Sequence, residues 1–203
     1  MLLDVEESQL VLVDFQIRLM PAISDGPAVL ANAIRLAKLA ALLKVPAVFT
    51  EQNPPGLGGS VPELQAALQE AGARVLAKMQ FSAVEEGLAE WLRPTPKPVQ
   101  GNARSLPKHF QKAASGSARD TIVLAGCEAH VCLLQTALDL LEDEFDVWVV
   151  TDACGSRTER NRDAAFDRLA GAGAELVTTE MVAFEWIRSA EHPHFKAAHA
   201  LIK

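Results

Sequence analysis

The sequence contains no tyrosine, and aromatic residues make up only 5% of its 203 residues. Without a phenol, no mechanism that depends on tyrosine is available. Cysteine is also scarce: three residues, an odd number, do not form a disulfide framework and favour a reducing environment. Basic residues are outnumbered, 19 against 26 acidic ones, and the net charge of −7 argues against nucleic acid or an anionic membrane as a main partner.

Long apolar runs and targeting segments are missing as well. The N-terminus, MLLDVEESQ, has no basic segment and becomes acidic at once, so we do not expect a signal peptide. The longest apolar stretch, at 36–43, is interrupted by Lys38 and followed by Lys44, and we do not expect it to span a bilayer. These features favour a cytoplasmic protein. Its length and its 49% of hydrophobic residues suffice for one domain with a large core.

What the sequence does contain is a regular alternation of two apolar patterns. Short apolar runs predict six strands, at 10–13, 44–50, 74–77, 121–125, 145–150 and 174–177. Helical spacing predicts helices at 27–43, 63–70, 84–92, 131–141, 159–170, 180–189 and 195–202. Ser82 and Glu85 are spaced as in a capping box at the start of the third helix. The alternation predicts an α/β fold of three layers, with a mostly parallel, Rossmann-like sheet between helices.

The stretch at 121–141, TIVLAGCEAHVCLLQTALDLL, holds the most reactive side chain. Gly126 ends a β-branched run, and a helical pattern begins a few residues later, so Cys132 falls in the first turn of a helix. Unpaired N–H groups and the positive end of the helix dipole meet there and favour a thiolate, which is the nucleophilic form. The alternative is that Cys132 is only a small, buried apolar residue.

Two further residues with acid–base chemistry occupy equivalent positions. Asp14 follows the first predicted strand and Lys78 the third, and residues at the carboxyl ends of parallel strands line the ligand crevice. A carboxylate can accept the thiol proton, and an ammonium group can favour the thiolate. We therefore expect Cys132 to have a lowered pKa and to be alkylated faster than Cys127, at a strand end, and Cys154, in a loop.

The motifs around these residues resemble those of the isochorismatase-like cysteine hydrolase superfamily. The resemblance rests on LVDFQ at 12–16, on Lys78 with FS at 81–82, on GCEAHVC at 126–132 and on DACGSR at 152–157. The branch of isochorismatase domain-containing proteins is the most similar, by TEQ at 50–52, GLG at 56–58, VPEL at 61–64 and HPHFK at 192–196. The resemblance covers nearly the whole chain and departs from the family at 93–119.

The resemblance implies the isochorismatase-like hydrolase fold and a catalytic triad of Asp14, Lys78 and Cys132. It also implies a cis peptide bond that directs the backbone N–H groups of residues 129–132 at an oxyanion. This loop comprises Cys127, Glu128, Ala129, His130 and Val131. The candidates for the substrate pocket are Gln16, Glu51, Gln52 and Phe81. Since true isochorismatases lack the cysteine, Cys132 favours hydrolysis of a small amide or related carbonyl compound through an acyl-enzyme. Relatives are commonly dimers or larger rings, so a homo-oligomer is expected.

No metal ion or other cofactor is expected. Nicotinamidases of the superfamily bind zinc through an aspartate and histidines, but the segment at 51–60 contains no histidine, and His192 and His194 alone are too few for a closed site. Three alternatives stay open. Cys127 is a rival nucleophile, the substrate could be a vinyl ether as in isochorismatases, or the chain could be a non-catalytic oligomeric interaction protein that retains the triad. His130 is expected to make a local structural or substrate contact.

Residues 93–119 interrupt the alternation. This segment carries six Lys or Arg residues, four prolines and no acidic residue. We expect residues 1–203 to form a single domain with this segment as a basic, proline-containing insertion. Because it enters the fourth strand at the end opposite to Cys132, we expect it to contact another subunit; the alternative is a substrate lid.

Overall fold

The computed structural model describes residues 1–94 and 119–203. Its sheet has six strands, β1 (Ser8–Val13), β2 (Ala47–Gln52), β3 (Arg74–Lys78), β4 (Thr121–Cys127), β5 (Asp146–Gly155) and β6 (Glu175–Val177). Their order is β3-β2-β1-β4-β5-β6, and all neighbouring pairs are parallel. The parallel sheet expected from the sequence is therefore confirmed.

The described helices form a layer on each face of this sheet. They are α1 (Gly26–Leu43), α2 (Pro54–Leu57), α3 (Pro62–Glu70), α4 (Leu88–Leu92), α5 (Leu134–Glu142), α6 (Glu159–Ala172), α7 (Thr179–Ile187) and α8 (Phe195–Ile202). Helix α1 contacts α3, α7 and α8, whereas α5 and α6 contact each other. The three-layer architecture is thus confirmed.

Helix α1 is long and apolar enough, by length and composition alone, to cross a membrane. The same test is passed by a helix buried in a protein core, and α1 packs against β1 and β5. Its buried residues include Ala33, Leu36 and Ala40, which join the fully buried side chains of β1 in one apolar cluster. Burial of this kind contributes about 25 cal/mol per Å² of apolar surface and holds the helix on the sheet.

The helix predicted at 84–92 is divided in two. Gly87 has a φ of +90° and separates a 3₁₀ turn from α4, because a left-handed residue cannot continue a right-handed helix. Ser82 Oγ accepts the N–H of Val84 at 3.2 Å, and its hydroxyl donates to Asp139 of α5, but no hydrogen bond joins Ser82 to Glu85 among the described residues. The expected capping box with Glu85 is therefore wrong.

Two segments expected to be loops are partly regular. Strand β2 continues through Glu51 and Gln52, and α2 forms a helical turn in the proline- and glycine-rich segment that follows. Cys154, expected in a loop, lies in β5 and is buried. Strands β2 and β5 both extend past their predicted carboxyl ends, where backbone pairing with a neighbouring strand continues beyond the apolar run.

The basic segment at 93–119 lies outside the described residues except for its ends. Arg93 pairs with Asp120, with 2.5 Å between the Nε and Oδ1 atoms. Arg119 donates to the carbonyl oxygens of Val5 and Ser8 at 2.8 and 2.9 Å. Both ends are thus attached near the amino ends of β1 and β4, as expected from the order of the chain.

Candidate active site

The sheet brings the three predicted catalytic residues to one edge. Strands β1 and β4 are neighbours at the point where the strand order reverses, which is where α/β sheets form a crevice. Asp14 follows β1 directly, Lys78 is the last residue of β3, and Cys132 lies in the turn after β4. All three are buried, with exposed fractions of 0% for Asp14, 2% for Lys78 and 6% for Cys132.

Asp14 and Lys78 form a buried ion pair. The distance between Asp14 Oδ2 and Lys78 Nζ is 2.8 Å, and both side chains are fully enclosed. Lys78 Nζ also donates to Gln52 Oε1 at 2.7 Å and to the carbonyl oxygen of Phe81 at 3.0 Å. Thr50 Oγ1 donates to Asp14 Oδ1 at 2.6 Å. Such partners are what a buried ion pair requires, since desolvation otherwise outweighs the attraction of the charges.

One oxygen of this carboxylate contacts only the ammonium group. Asp14 Oδ2 is buried and lies 2.8 Å from Lys78 Nζ, whereas Oδ1 accepts from Thr50. Buried carboxylate oxygens are normally satisfied by donors. A lone pair that remains here, beside a thiol, is suited to accept a proton.

The backbone of Asp14 adopts the left-handed conformation, with a φ of +58°. Aspartate is among the few residues other than glycine that tolerate this region. Neighbouring backbone groups hold it: the Asp14 N–H donates to the Thr50 carbonyl at 3.2 Å, and the Gln16 N–H donates to the Asp14 carbonyl at 2.9 Å. The turn directs the carboxylate toward β2 and β3 at the end of the strand.

The nucleophile loop connects β4 to α5. It contains a cis peptide bond between Cys127 and Glu128, as the family resemblance implied. A π-helical turn, Ala129–Leu133, then carries Cys132 and leads directly into α5, so the expected position of the thiol in the first helical turn is confirmed. The N–H of Val131 donates to the Glu128 carbonyl at 3.0 Å. Of the four N–H groups expected to face an oxyanion, this one is therefore already paired.

The expected lowering of the Cys132 pKa is wrong. Burial raises the pKa of the thiol from its ordinary value of 9.0 to about 12, and the negative charge of Asp14 adds to the rise. The positive charge of Lys78 opposes this rise but does not outweigh it. In the free protein at neutral pH, Cys132 is thus a neutral thiol.

The other two cysteines are more deeply buried. Cys127 is 0% exposed and Cys154 is 1% exposed, against 6% for Cys132. Burial raises the pKa of Cys127 well above its ordinary value and that of Cys154 to about 12. Neither rival contacts the ion pair through a hydrogen bond among the described residues.

Polar side chains of the loop bond to the segment after β5. The Glu128 carboxylate accepts hydrogen bonds from the N–H and the Nε–H of Arg157, at 2.9 and 3.0 Å. His130 Nδ1 lies 3.0 Å from Ser156 Oγ, and its Nε2 lies 3.3 Å from Asn161 Nδ2. His130 thus makes the local structural contact expected of it and holds the loop against its neighbour.

The four substrate-pocket candidates occupy different environments. Gln16 is 0% exposed, and its amide binds both backbone groups of Gln52, accepting from the N–H at 2.8 Å and donating to the carbonyl at 3.0 Å. Glu51 Oε1 accepts from the N–H and the hydroxyl of Ser60. Gln16 therefore holds the end of β2 from within the protein, and it has no exposed atom that could contact a substrate. Phe81 is 52% exposed.

Sequence reasoning missed Thr50. It is 1% exposed and bonds to Asp14 through both its backbone and its side chain. The available signal was its place near the end of an apolar run, followed by two polar residues, where a buried hydroxyl needs a partner.

An open apolar cavity of about 450 Å³ lies beside the start of α1. It is lined by Ile17, Met20, Pro21, Ile23, Gly26, Pro27, Leu30 and Val61. None of the three predicted catalytic residues lines this cavity, so cavity volume alone does not locate the candidate active site. Within residues 1–94 and 119–203, no group of three or more His, Cys, Asp or Glu side chains is placed to hold a metal ion.

The amino-acid sequence matches the family model described as the isochorismatase domain, over residues 8–96 and 106–181. Isochorismatase domain-containing protein 2A of Mus musculus is 37% identical over 199 residues, which cover 98% of this chain and 84% of the mouse protein. Isochorismatase domain-containing protein 2 of Homo sapiens is 37% identical over 196 residues, covering 97% of this chain and 83% of the human protein.

Solved structures share the whole fold. The MAR1 ribonuclease from Caenorhabditis elegans superposes with a TM-score of 0.84 at 31% identity, covering 100% of this chain and 92% of the other. YcaC from Escherichia coli, an octameric hydrolase of unknown specificity, gives 0.76 at 28% identity, covering 98% and 87%. YcaC from Pseudomonas aeruginosa, with hexane-2,5-diol and covalent acrylamide, gives 0.74 at 26% identity, covering 99% and 95%.

Proposed function

Because this chain belongs to the isochorismatase family, we propose that it is a cysteine hydrolase that cleaves a small amide or related carbonyl compound. Cys132 is the nucleophile, Asp14 transfers protons, and Lys78 balances the charge. The observation that carries the proposal is the buried ion pair of Asp14 and Lys78, 2.8 Å apart, at the same carboxyl edge of the sheet as Cys132. No metal ion takes part in the proposed reaction.

Attack requires a proton transfer at the moment of bond formation. With a pKa of about 12, only about one Cys132 in 10⁵ is a thiolate at pH 7, so a preformed thiolate contributes little. As the sulfur attacks the carbonyl carbon, its proton passes to Asp14 Oδ2, the carboxylate oxygen that is not bound by Thr50. Lys78 keeps the site's net charge favourable for the developing oxyanion.

The remaining steps follow from the tetrahedral intermediate. Backbone N–H groups of Ala129, His130 and Cys132 are the candidates to bind the oxyanion, since that of Val131 is paired. Asp14 returns the proton to the leaving nitrogen, the C–N bond breaks, and a thioester with Cys132 remains. Water attacks the thioester while Asp14 accepts its proton; the C–S bond breaks, and that proton restores the thiol.

A relative holds a covalently bound electrophile. The Pseudomonas aeruginosa YcaC structure carries covalent acrylamide, which adds to thiols through its alkene and leaves the amide group intact. The adduct therefore supports a reactive nucleophile in that relative and does not by itself support amide cleavage. We carry this reactivity to Cys132, the one cysteine of this chain at the described ion pair.

Hydrolysis of RNA is a second candidate, because the relative from Caenorhabditis elegans is named a ribonuclease. Phosphodiester binding uses cationic groups that can reach phosphates. Lys78 is buried and committed to Asp14, and the chain has a net charge of −7, so these observations favour the amide. A vinyl ether hydrolase and a non-catalytic, oligomeric protein stay open as well.

We also propose that the protein forms a homo-oligomer, since the Escherichia coli relative is octameric. A monomeric mass measured by light scattering would contradict this proposal.

A substrate screen tests the function. Small amides, carbamoyl compounds, a vinyl ether and an RNA oligonucleotide are incubated with the wild type and with Cys132→Ala, Asp14→Asn and Cys154→Ala. We expect turnover of an amide by the wild type and by Cys154→Ala, none by the other two variants, and an acyl adduct on Cys132 by mass spectrometry. Amide turnover that persists in Cys132→Ala would exclude the proposed nucleophile.

A further inference from the structure

Two residues of β2 each bind one charged member of the proposed active site. Thr50 Oγ1 donates to Asp14 Oδ1 at 2.6 Å, and Gln52 Oε1 accepts from Lys78 Nζ at 2.7 Å. Because they are separated by one residue in a strand, Thr50 and Gln52 point to the same face of the sheet. Both are nearly inaccessible, with exposed fractions of 1% and 8%.

We propose that Thr50 and Gln52 are positioning residues, which fix the carboxylate of Asp14 and the ammonium of Lys78 relative to the thiol. This inference rests on the proposed function. The strand register supports it: Val13, just before Asp14, pairs with Thr50, and Gln52 pairs with Lys78 itself. Strand β2 therefore lies between β1 and β3, and its side chains reach both charged groups.

The role of Thr50 is to determine which carboxylate oxygen of Asp14 is available to the thiol. Its hydroxyl holds Oδ1 of Asp14, and its carbonyl accepts the Asp14 N–H at 3.2 Å, so the side chain cannot rotate without losing a bond. Oδ2 then faces Lys78 Nζ at 2.8 Å and is the oxygen that Thr50 leaves free for the thiol. Without Thr50, either oxygen can turn to the thiol, and the proton acceptor is no longer fixed.

Gln52 is itself locked in place, which makes it a rigid support for the ammonium group. Gln16 binds its backbone N–H and carbonyl, and its own Nε2 donates to the Met79 carbonyl at 2.7 Å. Its Oε1 is thereby directed at Lys78, 2.7 Å from Nζ. A charged group held by fixed acceptors loses little orientation during the reaction, which is how preorganised sites gain rate.

Thr50→Val tests the first half of the inference, since valine keeps the shape and removes the hydroxyl. We expect kcat/KM for the amide identified by the screen to fall about 10- to 100-fold, because one hydrogen bond to a charged group is lost. Thr50→Ser should recover the wild-type value to within about threefold. The matched control is Thr179→Val: Thr179 is also buried and donates to an aspartate, Asp152, but lies outside the site.

Alkylation of Cys132 by iodoacetamide at pH 8 gives a readout that does not need turnover. Thr50→Val leaves the charge of Asp14 less neutralised, and Gln52→Glu places a carboxylate against Lys78, so both raise the pKa of Cys132. We expect alkylation to slow about threefold to tenfold in each variant and to be unchanged in Thr179→Val. A purely structural role predicts the opposite sign for Thr50→Val, because a loosened site exposes the thiol.

The outcomes separate the two proposals. Wild-type alkylation in both Thr50→Val and Gln52→Glu, or faster alkylation in Thr50→Val, overturns the positioning role, whatever the substrate is. If the wild type hydrolyses no amide but alkylation slows in both variants, the proposed function fails and the positioning of the charged pair stands. If Thr50→Val does not fold, the alkylation rate of Gln52→Glu decides.

Discussion

Removing one partner of the buried ion pair should destabilise the protein strongly. In Lys78→Met the carboxylate of Asp14 stays enclosed, since both side chains have an exposed fraction of 0%, and it loses a cation at 2.8 Å. An unpaired buried charge of this kind costs about 3–5 kcal/mol. Asp14→Asn should cost a similar amount for the converse reason, because the ammonium of Lys78 is then buried without its counter-ion.

The double variant, Asp14→Asn with Lys78→Met, removes both charges at once. Its loss of stability should be smaller than the sum of the single losses, with a coupling energy of about 3 kcal/mol. We would measure the free energy of unfolding by urea titration for all four proteins, monitored by tryptophan fluorescence. All three variants should be inactive, so a stable but inactive double variant would separate the catalytic role of the pair from its structural cost.

A loss below about 1 kcal/mol in Lys78→Met would refute this reasoning, since that is the range of exposed ion pairs. Additive losses in the double variant would refute it as well. Should a single variant be unfolded, the double variant alone decides, because the prediction requires it to fold.

Two further predictions concern the thiol and the approach of the central strands. The rate of Cys132 alkylation should rise about tenfold per pH unit from pH 6 to 9, because the pKa of about 12 lies above this range, and a plateau below pH 8 would contradict that value. Gly126→Ala should cost at least about 2 kcal/mol in urea titrations, because a Cβ there would collide with the backbone of Val13. Gly171→Ala, in α6 with nothing within 4 Å, should instead stabilise the protein by about 0.5–1 kcal/mol, and equal effects of the two substitutions would count against the packing of β1 on β4.

The sequence was sufficient to predict the sheet and the strand ends at which Asp14, Lys78 and Cys132 lie. Apolar runs such as LVLV before Asp14 mark strands that are buried on both faces, and a polar residue at a strand end must lie at the carboxyl edge of a parallel sheet. The hydrogen-bond partners of these residues could not be predicted from the sequence. That Thr50 binds Asp14 depends on the register between β1 and β2, which apolar periodicity does not encode. The break at Gly87 was missed because a helical pattern does not reveal a positive φ.

The pKa of Cys132 was predicted wrongly because the prediction relied on the local effect of a helix N-terminus. A position near a helix N-terminus stabilises a charge by about 0.3–1 kcal/mol, less than one pKa unit. The rise from 9.0 to about 12 corresponds to about 4 kcal/mol in the opposite direction, and its main cause is burial, which depends on the whole fold. Burial therefore determines the protonation state of the Cys132 thiol in the free protein. In the proposed mechanism, a neutral thiol needs a base nearby, and the charged base of the described ion pair is Asp14, which is held by Thr50 and balanced by Lys78. The proposal therefore couples attack by Cys132 to proton transfer, and it predicts a preference for a carbonyl compound that is bound in the proposed oxyanion site over an electrophile that meets the thiol by chance.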